Sequence, residues 1–360
     1  MVTLPATLPV APEGESSVIP ATLADIARET GFSINTVSRA LNGKPDVHHE
    51  TREIILAAAT KLNYHPNRLA RGLRKQATRV IGVVVSDVAN PFFSLLMKSI
   101  SKSARGRDYR VLLQDSDERS AGEREAIDVL LSERIDGILI CPVQAETSAI
   151  EMLAESQLPV VLIGRRFKGL DMDYVKPNDF HGGELAAQHL IDYGHERIGM
   201  VNAPLWISSA QERYEGFVHA HEAAGIPVDQ SIIRSGVVNH IEGYREAKAL
   251  LKTDPTITAI VAYSDFVAFG IARAVWEAGL RIPEDISLIG FDDIPLATCL
   301  SVPLSTVRSP IDELGERGVE VLCDKIEGKL NHPVREQLPT QLIVRQSTAR
   351  LAPNGDPGRE

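Results

Sequence analysis

The sequence predicts a small all-α helix-turn-helix head followed by a larger, two-lobed α/β body. Three observations carry this. Between Thr22 and Leu62, apolar residues recur at helical spacing in short runs punctuated by Gly31 and by Asn42-Gly43. From Val80 onward, β-rich apolar runs alternate with helix-like stretches. That alternation occurs as two successive series, enough for two parallel sheets covered by helices.

The head is read element by element. Thr22-Leu-Ala-Asp25 opens a helix with a capping-box-like pattern, and Leu23, Ile26 and Ala27 share one face. Gly31 stops that helix. Ser33 caps a second, Ile34 to Leu41, which Asn42-Gly43 ends. A third helix is expected from about Glu50 to Leu62, with Ile54, Ile55, Ala58 and Leu62 as its inward stripe. Two short helices joined by Gly31-Phe-Ser33 have helix-turn-helix spacing. In such a unit the second helix enters the DNA major groove by its N-terminal end. The candidate base-reading residues are therefore Ile34, Asn35, Ser38 and Arg39. Asn pairs with adenine, Arg with guanine, and an aliphatic side chain meets a thymine methyl. Thr22, Ser33, Thr36 and Asn42 are candidates for phosphate oxygens, which position without specifying. A structural three-helix module with no ligand fits the same spacing.

Charge is distributed unevenly. The chain's 360 residues carry a net −10. Residues 20–78 hold nine basic and five acidic side chains, a net of +4, which leaves −14 on the remainder. A basic head on an acidic body suits DNA binding, although a solvated helix pair is the plainer reading of charge alone. Beyond the third helix, Pro66 suits a first helical position. The short basic run Asn67 to Arg74 contains Gly72 and makes a marginal helix in isolation. A segment of this kind is suited to fold on DNA, with Asn67, Arg68, Ala70 and Leu73 toward the minor groove and a leucine wedged between base steps.

In the body, expected strands are Val80–Val85, Tyr109–Leu113, Gly137–Ile140 and Pro159–Ile163, then Arg197–Val201, Ala259–Ala262 and Ile286–Gly290. Ligands of open α/β sheets bind outside the carboxyl ends of the strands. For two lobes that means the cleft between them. The rule nominates Asn90, Phe92 and Phe93 after the first strand, and Arg165 after the fourth. It also nominates Trp206 and Arg213, then Ser264 and Asp265, then Phe291 and Asp292. Amides, guanidinium groups and carboxylates bind hydroxyls, and aromatic faces cover the C–H side of a ring, so the set suits a polyol. Plainer roles stand beside these: Phe92 or Phe93 as helix core, Asp265 or Asp293 as a helix cap, Arg166 as a solvated side chain.

Other classes are disfavoured. No run of 18 apolar residues exists to span a membrane. The first 18 residues lack Lys and Arg and contain several prolines, which is expected of a disordered tail rather than a secretory signal. Cys141, Cys299 and Cys323 are odd in number and widely spaced, as in a reducing cytoplasm and without a zinc site. No P-loop, strand-linked GxGxxG, GxSxG or HExxH motif is present, so no catalytic residue, metal or cofactor is expected.

Specific motifs then point to one family. Thr22-Leu-Ala-Asp-Ile-Ala, Thr36-Val-Ser-Arg39, Leu41-Asn42, Thr51-Arg52 and Leu62-Asn-Tyr-x-Pro-Asn67 resemble the DNA-binding head of the lactose-repressor (LacI) family. Asn90-Pro-Phe-Phe, His189-Leu-x-x-x-Gly-His195, Glu212-Arg-Tyr-x-Gly-Phe217 and Asp285-Ile-Ser-Leu-Ile-Gly-Phe-Asp-Asp293 resemble its periplasmic-binding-protein-like effector domain. The resemblance covers residues 20–350. It implies that Ile34, Asn35 and Arg39 read bases, that Leu73 is the minor-groove wedge of a hinge helix, and that Arg213 and Asp292 hold sugar hydroxyls. Val238 stands where several relatives carry an aromatic stacking residue, and Trp206 is the candidate replacement. The last residues hold no leucine heptads, so the resemblance implies a homodimer rather than a coiled-coil tetramer.

The expected organisation is a tail (1–19), a helix-turn-helix domain (20–66), a hinge helix and linker (67–78), an effector domain (79–350) and a second tail (351–360). Its N-lobe is expected to comprise 79–176 and 309–338, and its C-lobe 177–308 and 339–350. The implied function is a cytoplasmic, sequence-specific repressor of a pseudo-palindromic double-stranded operator, released by a small effector, a sugar or sugar derivative. A corepressor-dependent or protein-coregulated factor is the alternative, and a sugar-binding receptor a more distant one. The hinge expectation gives a test: Leu73→Ala lowers both operator affinity and operator bending, read by gel mobility of circularly permuted fragments. Unchanged bending removes the wedge role.

Overall fold

The computed structural model describes residues 21–64 and 78–351, and the chain divides into two compact units, 1–76 and 77–360. The first unit holds three helices among its described residues: α1 (Leu23–Thr30), α2 (Ile34–Leu41) and α3 (His49–Lys61). Thr22 and Asp25 form a reciprocal capping box on α1, and Gly31, at φ 73°, closes it in the left-handed region. Ser33 caps α2 by accepting from the Thr36 amide. Ile26, Val37, Ala40, Ile55, Ala58 and Ala59 make the buried centre, with Leu23, Ala27, Phe32, Leu41, Val47, Leu62 and Tyr64 around it. Ile54 is a correction: it is 51% exposed. Adjacent helical residues point about 100° apart, so the stripe Ile55, Ala58, Ala59, Leu62 leaves Ile54 outside.

The second unit carries two six-stranded sheets. The N-lobe sheet has the order β11-β5-β4-β3-β1-β2, all parallel. Its strands are β1 (Val80–Val85), β2 (Arg110–Asp115), β3 (Gly137–Ile140), β4 (Val160–Ile163), β5 (Asp173–Pro177) and β11 (Arg335–Leu338). The C-lobe sheet, β12-β10-β9-β8-β6-β7, is parallel except for the β10–β12 pair. It comprises β6 (Ile198–Val201), β7 (Ile233–Arg234), β8 (Ala259–Ala262), β9 (Ser287–Asp292), β10 (Ser305–Arg308) and β12 (Gln341–Ile343).

Helices cover both faces of each sheet, which is why the central strands read as unbroken apolar runs. In β1, Ile81, Val83 and Val85 face one core while Val80 and Val84 face the other. The first core packs beneath α4 (Pro91–Gly106) and α11 (Ile311–Ile326), the second beneath α5 (Ser120–Ser132) and α6 (Ser148–Glu155). In the C-lobe, α7 (Asp179–Asp192) and α8 (Ser208–Ala224) cover one face, and α9 (His240–Thr253) and α10 (Asp265–Glu277) the other. The chain passes between lobes after β5, after β10 and after β11.

The α7–α8 crossing positions the inter-lobe site. A Cβ on Gly183 would sit 2.1 Å from the Arg213 carbonyl oxygen, and one on Gly216 2.0 Å from that of Phe180. The two helices thus touch backbone to backbone, which only glycine allows. Gly216→Ala is expected to force them apart and cost about 1–3 kcal/mol or more, read as a lowered urea midpoint. An unchanged midpoint would mean that the crossing yields freely.

Candidate DNA-reading face and inter-lobe cavity

On α2, Val37 and Ala40 are buried against the head core, while Ile34 is 53% exposed. Asn35 and Arg39 are exposed beside it, and Ser38 is half-buried. The polar groups around this face are held in place. Ser33 Oγ accepts from the Thr36 amide at 3.1 Å and its hydroxyl meets that of Thr36 at 2.9 Å. The Asn42 amide donates to the Ser38 carbonyl at 2.6 Å, and Thr22 is engaged in its capping box. Arg39 is ion-paired with Asp46 in the following loop. Of the minor-groove set, Asn67, Arg68, Ala70 and Leu73 lie outside the described residues.

In the body, a small cavity opens where the strands of both lobes end. Asn90 caps α4 by accepting from the Phe92 amide at 3.0 Å, which sets Phe92 and Phe93 edge to face at 5.1 Å on the wall. Gly164, at φ 75°, turns the chain so that Arg165 enters the cavity. From the C-lobe come Ser209 and Arg213 on α8, Val238 just before α9, Tyr263 and Ser264 after β8, and Asp292 ending β9. Asp292 has φ 108° and Asp293 φ 59°. Consecutive left-handed non-glycine residues store backbone strain of a kind that clusters at functional sites. A second depression, around Leu158, Asp173 and His332, lies at the N-terminal ends of β4 and β5, the end of such sheets where ligands do not bind.

Three nominated residues sit elsewhere. Trp206 is 61% exposed on the turn before α8 and is not among the lining residues. Phe92 and Tyr263 supply the aromatic faces instead. Asp265 is turned into the protein, accepting from the Thr306 hydroxyl at 2.6 Å and the Ile294 amide at 2.9 Å. Burial, with Asp292 nearby, pushes its carboxyl well above the usual range. Phe291 belongs to the C-lobe core because alternate β9 residues face opposite sides. It still acts on the site, since the Arg213 guanidinium lies 3.5 Å from its ring centroid. Arg166 is neither a wall residue nor a free side chain: it pairs with Glu212 at 2.8 Å. Asp293 caps no helix and pairs with Arg308 at 2.7 Å and with Arg345.

Sequence reasoning missed Glu118, Ser209 and Tyr263. Glu118 follows β2, which ends two residues beyond the expected Leu113, and no residue after that strand is nominated from the sequence. Asp117 and Glu118 are both left-handed, at φ 54° and 49°. This loop carries the carboxylate to Arg165, with oxygen–nitrogen distances of 2.6 and 3.2 Å.

Behind the cavity runs a line of alternating charges. Arg166 meets Glu212, whose other oxygen is 2.8 Å from Lys176 Nζ. Lys176, wholly buried, also lies 3.0 Å from Asp179. Asp179 holds Arg213 at 2.9 Å, and Arg213 lies 3.9 Å from Asp292. Two members stand on the N-lobe and four on the C-lobe. Beside them the Ser208 amide donates to Gln144 at 2.9 Å and the Arg166 amide to Ser208 at 3.0 Å. These contacts clasp the N-terminus of α8 to the N-lobe. Burial pushes the Asp292 carboxyl up to about 7, with Arg213 opposing and Asp179 adding to the rise.

Comparison with known proteins follows this division. Residues 22–67 match the family "bacterial regulatory proteins, lacI family". Residues 78–346 match "periplasmic binding proteins and sugar binding domain of LacI family". The chain is 35% identical to a ribose operon repressor of Halalkalibacterium halodurans, over 91% of this chain and 97% of that protein. It is 31% identical to the transcriptional repressor PurR of Pasteurella multocida, over 91% and 98%. A lac repressor dimer bound to operator and an anti-inducer superposes with a TM-score of 0.83 at 28% identity, covering 92% of this chain and 99% of that one. A ribose-bound regulator from Enterococcus faecium superposes with a TM-score of 0.68 at 34% identity, covering 76% and 100%.

The raised Asp292 carboxyl gives a signed prediction. Unfolded, it titrates near the usual ~3.9, so between that value and about 7 the folded chain binds the extra proton. Stability from this group is therefore present at low pH and lost as pH rises through 7. Asp292→Asn should match the parent near pH 4 and exceed it at pH 8, by on the order of a few kcal/mol. Urea midpoints across pH read this, and a gain independent of pH would remove the assignment.

Proposed function

This chain belongs to the LacI family of bacterial regulatory proteins, and from that premise we propose a cytoplasmic, non-enzymatic repressor that acts as a homodimer and leaves its operator when the inter-lobe cavity is filled. One observation carries the reading. The same chain presents an exposed, base-reading-type helix face and, in its other unit, a walled cavity at the strand ends with donors, acceptors and aromatic faces.

On the head, Ile34, Asn35, Ser38 and Arg39 are the side chains that would meet base edges. Two heads would read two half-sites of a pseudo-palindrome, in keeping with the operator-bound dimer of the lac repressor. Breaking the Arg39–Asp46 pair is the step that frees the guanidinium for a guanine. In the cavity, Asn90, Arg165, Arg213, Ser264 and Asp292 would meet ligand hydroxyls, with Phe92 and Tyr263 covering the ring. The relatives that hold ribose or regulate a ribose operon support a small sugar as effector. A ligand that spans both walls would hold the lobes in the arrangement in which Gln144 and Arg166 clasp α8. A coupling of about 1–3 kcal/mol changes operator affinity roughly 5–150-fold.

Binding-site selection from random duplex DNA, followed by anisotropy titration with and without sugars, tests the reading. The expected result is a site with two symmetric half-sites, weakened by one sugar class. Asn35→Ala should cost about 1–3 kcal/mol on that site and relax one base position. Selected sequences without symmetry would overturn the operator reading. A ligand that tightens binding would replace induction with corepression.

A further inference from the structure

We propose that the cavity accepts an uncharged polyol and rejects the acid and phosphate forms of the same sugar, and that Glu118 is the residue that sets this preference. The inference rests on the reading of the cavity as the effector site and adds the ligand's charge.

The cations among the lining residues are Arg165 and Arg213. An anionic effector needs at least one of them as its partner, and both are already taken. Arg165 is buried and meets Glu118 fork to fork, its Nη2 2.6 Å from Oε1 and its Nη1 3.2 Å from Oε2. The same Nη1 donates to the Pro142 carbonyl at 2.7 Å. Arg213 gives Nε and Nη2 to Asp179 at 3.0 and 2.9 Å and Nη1 to the Tyr263 carbonyl at 2.5 Å. One face of its guanidinium is covered by Phe291.

The other charge-bearing groups on the wall are carboxyls, Glu118 and, ionised above about pH 7, Asp292. A phosphate or carboxylate would have to displace Glu118 or Asp179 from its arginine, or sit against Glu118 and, above about pH 7, against ionised Asp292 as well. Like charges brought together in a partly desolvated site repel strongly. A sugar hydroxyl meets no such barrier. It donates to a carboxylate oxygen and accepts from a guanidinium or from the Ser209 hydroxyl, so paired Arg–carboxylate sets bind diols without a change in net charge. Glu118 is also held by a costly backbone, in the left-handed region at φ 49°, with its amide donating to the Ser86 carbonyl at 2.7 Å. The loop is built to deliver that one carboxylate to Arg165.

The experiment is calorimetry on the full chain with ribose, glucose and other neutral pentoses and hexoses, each beside its aldonic acid and its terminal phosphate. The expected result is binding of a neutral sugar, with its acid and phosphate weaker on the order of 100-fold or more. Glu118→Gln keeps the shape and removes the counter-charge from Arg165. It should shift the neutral-to-acid affinity ratio at least about tenfold toward the acid. An acid or phosphate that binds the parent chain as tightly as its neutral sugar overturns the charge inference and leaves the effector reading standing. An unchanged ratio in Glu118→Gln overturns the role of Glu118. Binding of no compound in either set overturns this inference together with the sugar-effector reading. The parent chain's own ratio carries the test if Glu118→Gln does not fold.

Discussion

A wholly buried lysine holds the body together. Lys176, the penultimate residue of β5 in the N-lobe, projects between Asp179 and Glu212 of the C-lobe. A charge removed from water at that depth is tolerated only with close counter-charges. Its partners must therefore be delivered from α7 and α8 at fixed positions. Each partner in turn carries the alternation outward, Glu212 to Arg166 and Asp179 to Arg213. The line ends at Asp292 on the cavity wall. The lobes are thus joined behind the cavity by a line of charges, while Phe92 and Leu95 of α4 pack against the apolar cores of both lobes.

The cavity inherits its geometry from that line. Arg213 is placed by Asp179, by the Phe291 ring and by the glycine-lined contact of α7 with α8. Arg165 is placed separately, by Glu118 and the Pro142 carbonyl. Each guanidinium is therefore oriented by protein partners alone, which would lower the ordering cost of the binding proposed above. The strained φ values of Asp292 and of the Asp117-Glu118 turn fall at this same wall. The conformational cost is concentrated where side chains must point inward rather than where the chain only turns.

The head works differently. Its core is small, and its helices depend on their caps: the Thr22–Asp25 box, Gly31, Ser33 and the Asn42–Ser38 contact. Those same hydroxyl and amide groups surround the face that carries Ile34, Asn35 and Arg39. Ser33 and Asn42, which stabilise the ends of α2, are also the groups proposed to meet a phosphate backbone.

Much of this was legible in the sequence, because local rules decide it. Helix starts follow from Ser33 and Thr22, which satisfy free amides wherever a helix begins, and helix stops from Gly31. The two-sheet body follows from unbroken, β-branched apolar runs between helical stretches, and the motifs that resemble one family follow the same order. Strand ends nominate Asn90, Phe92, Arg165 and Arg213, since the C-terminal ends of parallel strands converge on one cleft. Tertiary structure decided what local rules cannot reach. Ile54 faces solvent because the choice between two adjacent apolar residues depends on what packs against α3. Asp265 and Phe291 turn inward, and Trp206 outward, because side-chain direction at a strand end or turn is set by neighbours distant in sequence. Glu118 joins the wall only because a left-handed loop brings it to a residue 47 positions away. The sequence by itself determined which elements form and where their ends gather. Which side chains meet there, and with what net charge, was decided by packing, because opposite charges find one another across space and not along the chain.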